Sequence, residues 1–117
     1  MVSYRISEPA KADIVALLRS SEALHGTAAR LRYRALVTAA MRRVAANPLG
    51  ISTHDQSELL PGLRSFHIRH SREASREARV AHPVHVIFYR AAGTGPVEIV
   101  RVLHERMDPL RHIEAGS

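Results

Sequence analysis

PVHVIFYRAAGTGPVEIVRVLHER, residues 83–106, holds two apolar segments, Val84–Tyr89 and Val97–Leu103, joined by the Gly/Pro-bearing connection Ala91–Pro96. Segments rich in Val, Ile, Phe and Tyr on either side of turn residues make a β-hairpin. Val84, Val86 and Phe88 fall on one face of the first strand, and Ile87 and Tyr89 on the other. Apolar residues on both faces place that strand centrally in a sheet covered on both sides. The second strand ends abruptly in charge. Leu103 is its last apolar residue, and His104, Glu105 and Arg106 follow, held by the sheet yet within reach of solvent.

Upstream of the hairpin, Arg64, Phe66, Ile68 and His70 alternate with Leu63, Ser65, His67 and Arg69, which predicts a third strand over 63–70 with one mostly apolar face. The highly charged SREASREARVAH, residues 71–82, reads as an exposed loop or a single helical turn, and LGISTHDQSELLPG, residues 49–62, as a loop closing on Pro61-Gly62.

At the start of the chain Val2, Tyr4 and Ile6 alternate with polar residues as a short strand. Ser7 then caps a helix whose first turn holds Glu8 and Pro9, where a negative charge suits the dipole and a missing N–H costs nothing. Ala10, Ile14, Leu17, Leu18 and Leu24 form its apolar face, Gly26 stops it, and Thr27 caps the next helix. That second helix, about 28–46, carries the stripe Ala29, Tyr33, Leu36, Val37, Ala40 and Val44 before Asn47-Pro48 breaks it. Asp108 and Pro109 start a last turn through Ile113. The expected architecture is one α+β domain over residues 1–117: an N-terminal strand, a two-helix hairpin, then a three-stranded antiparallel sheet. The helices cover one sheet face, and the other stays partly open as a groove.

At 117 residues the chain suffices for one modest core. Seventeen Lys plus Arg against eleven Asp plus Glu give a net charge of +6, and Lys11 is the only lysine. Arginine favours bidentate contact with carboxylate or phosphate, so acidic partners suit the surface, although an Arg-rich, Ala-rich bias also follows from a GC-rich coding sequence. With no cysteine there is neither a disulfide framework nor a thiolate metal site, which fits the reducing cytoplasm. MVSYRISEPAKAD lacks the apolar core of a signal peptide, and no apolar run approaches a membrane span.

Eight histidines raise the question of a metal. His67 with His70, and His82 with His85, are three apart in extended segments and point to opposite faces, so neither pair chelates one ion; no metal and no cofactor are expected. Gly93-Thr94-Gly95 lies in a hairpin turn and is no phosphate loop. The cluster with chemical potential is His104, Arg106 and Arg69, with His67 or His70, Arg90 and Arg101. Attack of a ribose 2′-OH on phosphate needs a base, an acid and cations, all of which His and Arg supply. Against that stands a purely structural role for strand-end polar groups, hydrogen-bonded to a neighbouring loop or to Asp108.

GLRSFHIRH at 62–70, VHVIFYR at 84–90 and VEIVRVLHERMDPLRH at 97–112 together resemble the ParE/RelE superfamily of bacterial toxins, the ParE branch in particular. The resemblance implies a toxin of a type II toxin–antitoxin pair that inhibits DNA gyrase by binding and is neutralised by a ParD-like antitoxin, a ribbon-helix-helix protein with an acidic C-terminal segment. On this reading His104, Glu105 and Arg106 meet the target, while Arg69, Arg90 and Arg101 meet the antitoxin. The alternative is a RelE-like, ribosome-dependent mRNA endonuclease using His104, Arg106 and Arg69. RelE-type nucleases typically carry basic residues, often lysine, on the middle strand and a tyrosine or His-Tyr pair near the C-terminus, whereas the last tyrosine here is Tyr89 and residues 107–117 offer only His112.

Overall fold

The computed structural model describes residues 3–74, 80–91 and 93–113. Strand β1 (Tyr4–Ile6) leads into helices α1 (Glu8–His25) and α2 (Thr27–Ala46), followed by β2 (Thr53–Asp55) and β3 (Leu63–His67). A 3-10 segment, Ile68–Ala74, precedes β4 (His85–Arg90), β5 (Val97–His104) and the short α3 (Pro109–His112). The five strands form one sheet in the order β1-β5-β4-β3-β2. All neighbours are antiparallel except β1, which runs parallel to β5.

The two-helix hairpin forms where the sequence places it. Ser7 Oγ accepts the Ala10 N–H at 3.1 Å and so caps α1. Gly26 ends that helix at φ +90°, a conformation that would strain any residue with a Cβ. It also stands as the N-cap of α2, which begins at Thr27 without a side-chain cap, so Thr27 does not take the capping role expected of it. Tyr33, Leu36, Val37, Ala40, Met41 and Val44 bury the inner stripe of α2 against the sheet. Leu24 departs from its expected core position and is 73% exposed, because α1 has by then run past the end of the sheet.

Three expectations for the sheet are corrected. The 49–62 stretch contains β2, whose Thr53, His54 and Asp55 pair with Phe66, Ser65 and Arg64; three residues, two of them exposed, are too few to print an alternation. The third strand stops at His67 and not at His70, because the His67 ring turns back to accept the Arg69 N–H at 3.1 Å. The sheet therefore has five strands and not three plus one. The charged stretch expected as an exposed loop or a single helical turn begins within the 3-10 segment, and its middle, residues 75–79, lies outside the described residues, as does Val2.

Between β4 and β5 the register shifts. Tyr89 pairs with Ile99, but Phe88 pairs with Arg101, so Val100 is an extra residue in β5. The bulge lets Ile99 and Val102, three apart, both point to the helix side, where they join Phe66, Ile87 and Tyr89 in the main core. Phe88, Leu103 and Leu63 point the other way and build a second, smaller core with Leu60 and Ile113. The face expected to stay partly open is thus partly covered by the 56–62 loop and the segment after α3.

Candidate functional site

Beyond Ile6 the chain leaves β5 and enters α1, which exposes the edge of β5 at residues 100–104. Side chains of the N-terminal segment satisfy that edge. Ser7 Oγ donates to the Val100 carbonyl at 2.7 Å, and Asp13 Oδ2 accepts the Val102 N–H at 2.9 Å. Because no strand continues there, a groove of about 780 Å³ opens between the far ends of α1 and α2 and the ends of β4 and β5. Leu17 and Leu24 on α1, Val80, Leu103 and Met107 give it apolar walls.

Tyr33, His85 and His104 lie on its floor. The Tyr33 oxygen accepts the Val84 N–H at 3.1 Å and lies 2.6 Å from Nδ1 of His85; with that oxygen already accepting, we assign the phenol hydrogen to Nδ1. That assignment leaves His85 neutral with its hydrogen on Nε2. Burial and the neighbouring His104 and His67 hold its imidazolium form down, to a pKa of about 4, and burial pushes the Tyr33 phenol up. His104 stacks edge-on against His85 with ring centroids 5.6 Å apart, and its Nδ1 accepts the Arg106 N–H at 3.1 Å. His67 repeats this device at the end of β3, with Nδ1 on the Arg69 N–H and Nε2 toward Glu105 Oε1 at 3.3 Å. Three histidines at one end of three adjacent strands therefore each have Nδ1 occupied as an acceptor.

The structure brings His104, Glu105 and Arg106 together in one turn. Glu105 is fixed there by its N–H on the Val84 carbonyl, at 2.7 Å, and by His67. Arg69 leaves the neighbouring strand end, but His67 pairs with Val86 on the far face while His104 pairs with His85 on the helix face. His67 and His104 thus do not converge on one point. Arg90 sits at the opposite end of β4, paired with Glu98 at 3.0 Å. Arg101 lines the groove with its guanidinium on Asp13 at 2.7 and 2.9 Å, which raises its pKa further. His70 lies within the 3-10 segment, where burial and then Arg69, His67, Arg43 and His54 hold its charged form down. Among the described residues no group of three or more His, Asp or Glu could hold a metal.

Sequence reasoning placed Tyr33 in the core, where its ring is, but missed its hydroxyl and missed His85. Counting back from the hairpin turn in regular register sets His85 opposite Leu103. The bulge at Val100 moves it opposite His104. A polar residue in an otherwise apolar strand was the available signal.

Residues 4–109 match the family described as ParE toxin of type II toxin-antitoxin system, parDE. The chain is 32% identical over 108 residues to the toxin ParE of Escherichia coli, covering 92% of this chain and 89% of that protein. It is also 32% identical over 113 residues to toxin ParE1 of Caulobacter vibrioides, covering 97% and 99% respectively. Toxin ParE1 of Mycobacterium tuberculosis is 35% identical over 74 residues, covering 63% of this chain and 59% of that protein.

Proposed function

The chain belongs to the ParE family of toxins of type II toxin–antitoxin systems, and from that premise we propose that it inhibits DNA gyrase by binding and performs no covalent chemistry. What supports this is the hydrogen bonding on the groove floor, from which the tautomers are assigned. Nδ1 of His85 and of His104 is occupied by Tyr33 and by the Arg106 N–H, which puts the hydrogen of each neutral ring on Nε2. A general base for a ribose 2′-OH needs a free lone pair, and neither ring presents one. His67 is committed in the same way, with its Nε2 on Glu105.

The exposed turn Glu105-Arg106 beside His104 is the surface proposed to meet gyrase, a target that would place the protein in the cytoplasm. A ParD-like antitoxin, a ribbon-helix-helix protein with an acidic C-terminal segment, is proposed to lay an amphipathic helix into the groove. Its apolar face fits Leu24 and Met107, exposed at 73% and 47%. The net charge of +6 favours the acidic side of such a helix. Arg69, exposed beyond the end of β3, and Arg101 on the groove wall are proposed to contribute to this surface, whereas Arg90, at the other end of β4 and paired with Glu98, would be met only by a partner segment that runs on past the groove.

Two reactions run side by side test the reading: supercoiling by gyrase and cleavage of ribosome-bound mRNA, each with the purified protein alone and with the antitoxin encoded beside it. Inhibited supercoiling with accumulated cleaved DNA, relieved by antitoxin, is expected. Cleaved mRNA with supercoiling untouched would overturn it in favour of the RelE-like nuclease.

A further inference from the structure

The groove is apolar along its walls, but its floor is an array of hydrogen-bond donors. The assignment above leaves Nε2–H on both His85 and His104, and no described group accepts either hydrogen. Neither nitrogen is a buried orphan, and both rings line the groove. The acids nearby are taken: Asp13 holds Arg101 and the Val102 N–H, and Glu105 holds His67. Arg32, His25 and His112 add further donors around the walls. An apolar helix face alone would leave the two floor N–H groups dry and unsatisfied, at a cost of about 1–3 kcal/mol each.

Resting on the antitoxin reading above, we propose that Nε2–H of His85 and Nε2–H of His104 together form an anchor for one carboxylate, an Asp or Glu side chain projecting from the apolar face of the antitoxin helix into the groove. Ring centroids 5.6 Å apart are close enough for a carboxylate seated between the rings to take a hydrogen bond from each. Such a group satisfies both N–H groups at once, and charged acceptors form the stronger hydrogen bonds. Specificity follows from the same chemistry. A helix of equal hydrophobicity without the acid leaves two desolvated donors unpaired, so a non-cognate antitoxin is rejected by what it lacks.

Two substitutions at His104 separate this role from a structural one, because they keep opposite halves of the imidazole. His104→Gln carries an N–H donor to the place of Nε2 and gives up the acceptor for the Arg106 N–H. His104→Asn keeps that acceptor at the place of Nδ1 and gives up the deep donor. The readout is the dissociation constant for the antitoxin encoded beside this chain, by calorimetry on the full-length toxin, with urea stability measured for each variant. The anchor predicts that His104→Asn weakens binding by about tenfold to a hundredfold while His104→Gln stays within a few-fold of the parent. It also predicts that His85→Asn, which likewise keeps the acceptor at the place of Nδ1 and gives up the Nε2 donor, adds less to His104→Asn than its separate effect, because both rings share one carboxylate. The reverse ranking, with Asn silent and Gln weak, would assign His104 to the turn alone and overturn the anchor while leaving the antitoxin reading intact. A parent toxin that binds no antitoxin would overturn both.

Discussion

Arg101 on β5 and Asp13 on α1, 88 residues apart, are joined by two hydrogen bonds of 2.7 and 2.9 Å. The same carboxylate accepts the Val102 N–H, and the same guanidinium donates to the His112 carbonyl at 2.6 Å. One acid thus ties a helix to the open edge of the sheet, and one base ties that edge to the turn after it. Both side chains are mostly shielded, at 21% and 15% exposure, so removing either strands the other. Asp13→Ala should cost about 2–4 kcal/mol in a urea titration. Lys11→Ala, which breaks the solvated pair with Glu8, should stay within about 0.5 kcal/mol. Equal losses at the two sites would deny the Asp13–Arg101 pair its structural weight.

The depressed His85 fixes the sign of a pH effect. Between pH 6.5, its ordinary value, and about pH 4, the unfolded chain binds a proton at this residue that the folded chain does not. Stability from this source is therefore full above pH 6.5, declines as pH falls through the interval, and levels off below about 4. The ceiling is about 3 kcal/mol, reduced by the solvent that still reaches a half-buried ring. His85→Phe should flatten the pH dependence of the urea midpoint across that window. An unaltered slope would assign the titration to other groups.

Phe88 is 5% exposed in the smaller core with Leu63 and Leu103. Phe88→Ala should cost about 3–4 kcal/mol, a large share of the stability of a domain this size. Arg42, exposed on the outer side of α2, has no described bond, and Arg42→Ala should change stability by about 0.5 kcal/mol or less. Comparable losses in the two unfolding curves would mean that the far face of the sheet is not a core.

His104→Gln also separates a binding toxin from a nuclease. The amide keeps a donor where Nε2 was, so a protein that works by contact should lose less than about tenfold in its inhibition of supercoiling. A nuclease relying on that ring as acid or base would lose roughly a hundredfold or more in rate. The check is growth arrest on induction, read beside both purified reactions. RNA cleavage that vanishes with this substitution while supercoiling is unaffected would sink the gyrase assignment.

The hairpin, the helix pair and the ordering of α1 around Ser7, Glu8 and Pro9 were legible because each rests on a local rule: alternation, periodicity or capping. What escaped was set by partners distant in sequence. β2 exists because β3 offers it an edge, and nothing in Thr53-His54-Asp55 announces that. Leu24 satisfies the helical period, yet the sheet beneath it has ended. The groove floor was hidden twice, first because one extra residue at Val100 re-registers β4 on β5, and then because Tyr33 is apolar to a pattern and polar to its neighbours. His104, Glu105 and Arg106 were found from their place at a strand end, while the internal commitment of Arg101 depended on Asp13 arriving from another element.

The parallel pairing of β1 with β5 orders events in time. Ser7, at the exit of β1, reaches across 93 residues to the Val100 carbonyl, so during synthesis the first strand waits unpaired until nearly the whole domain has left the ribosome. Long-range closure of this kind comes late in folding. The edge of β5, the groove walls at Leu103 and Met107, and the His104–Arg106 turn are supplied by the same late segment. A truncated translation product therefore lacks both the surface proposed to poison and the surface proposed to be silenced. On the proposed reading, a chain stalled midway through synthesis is an inert fragment without the completed groove that the antitoxin is proposed to fill.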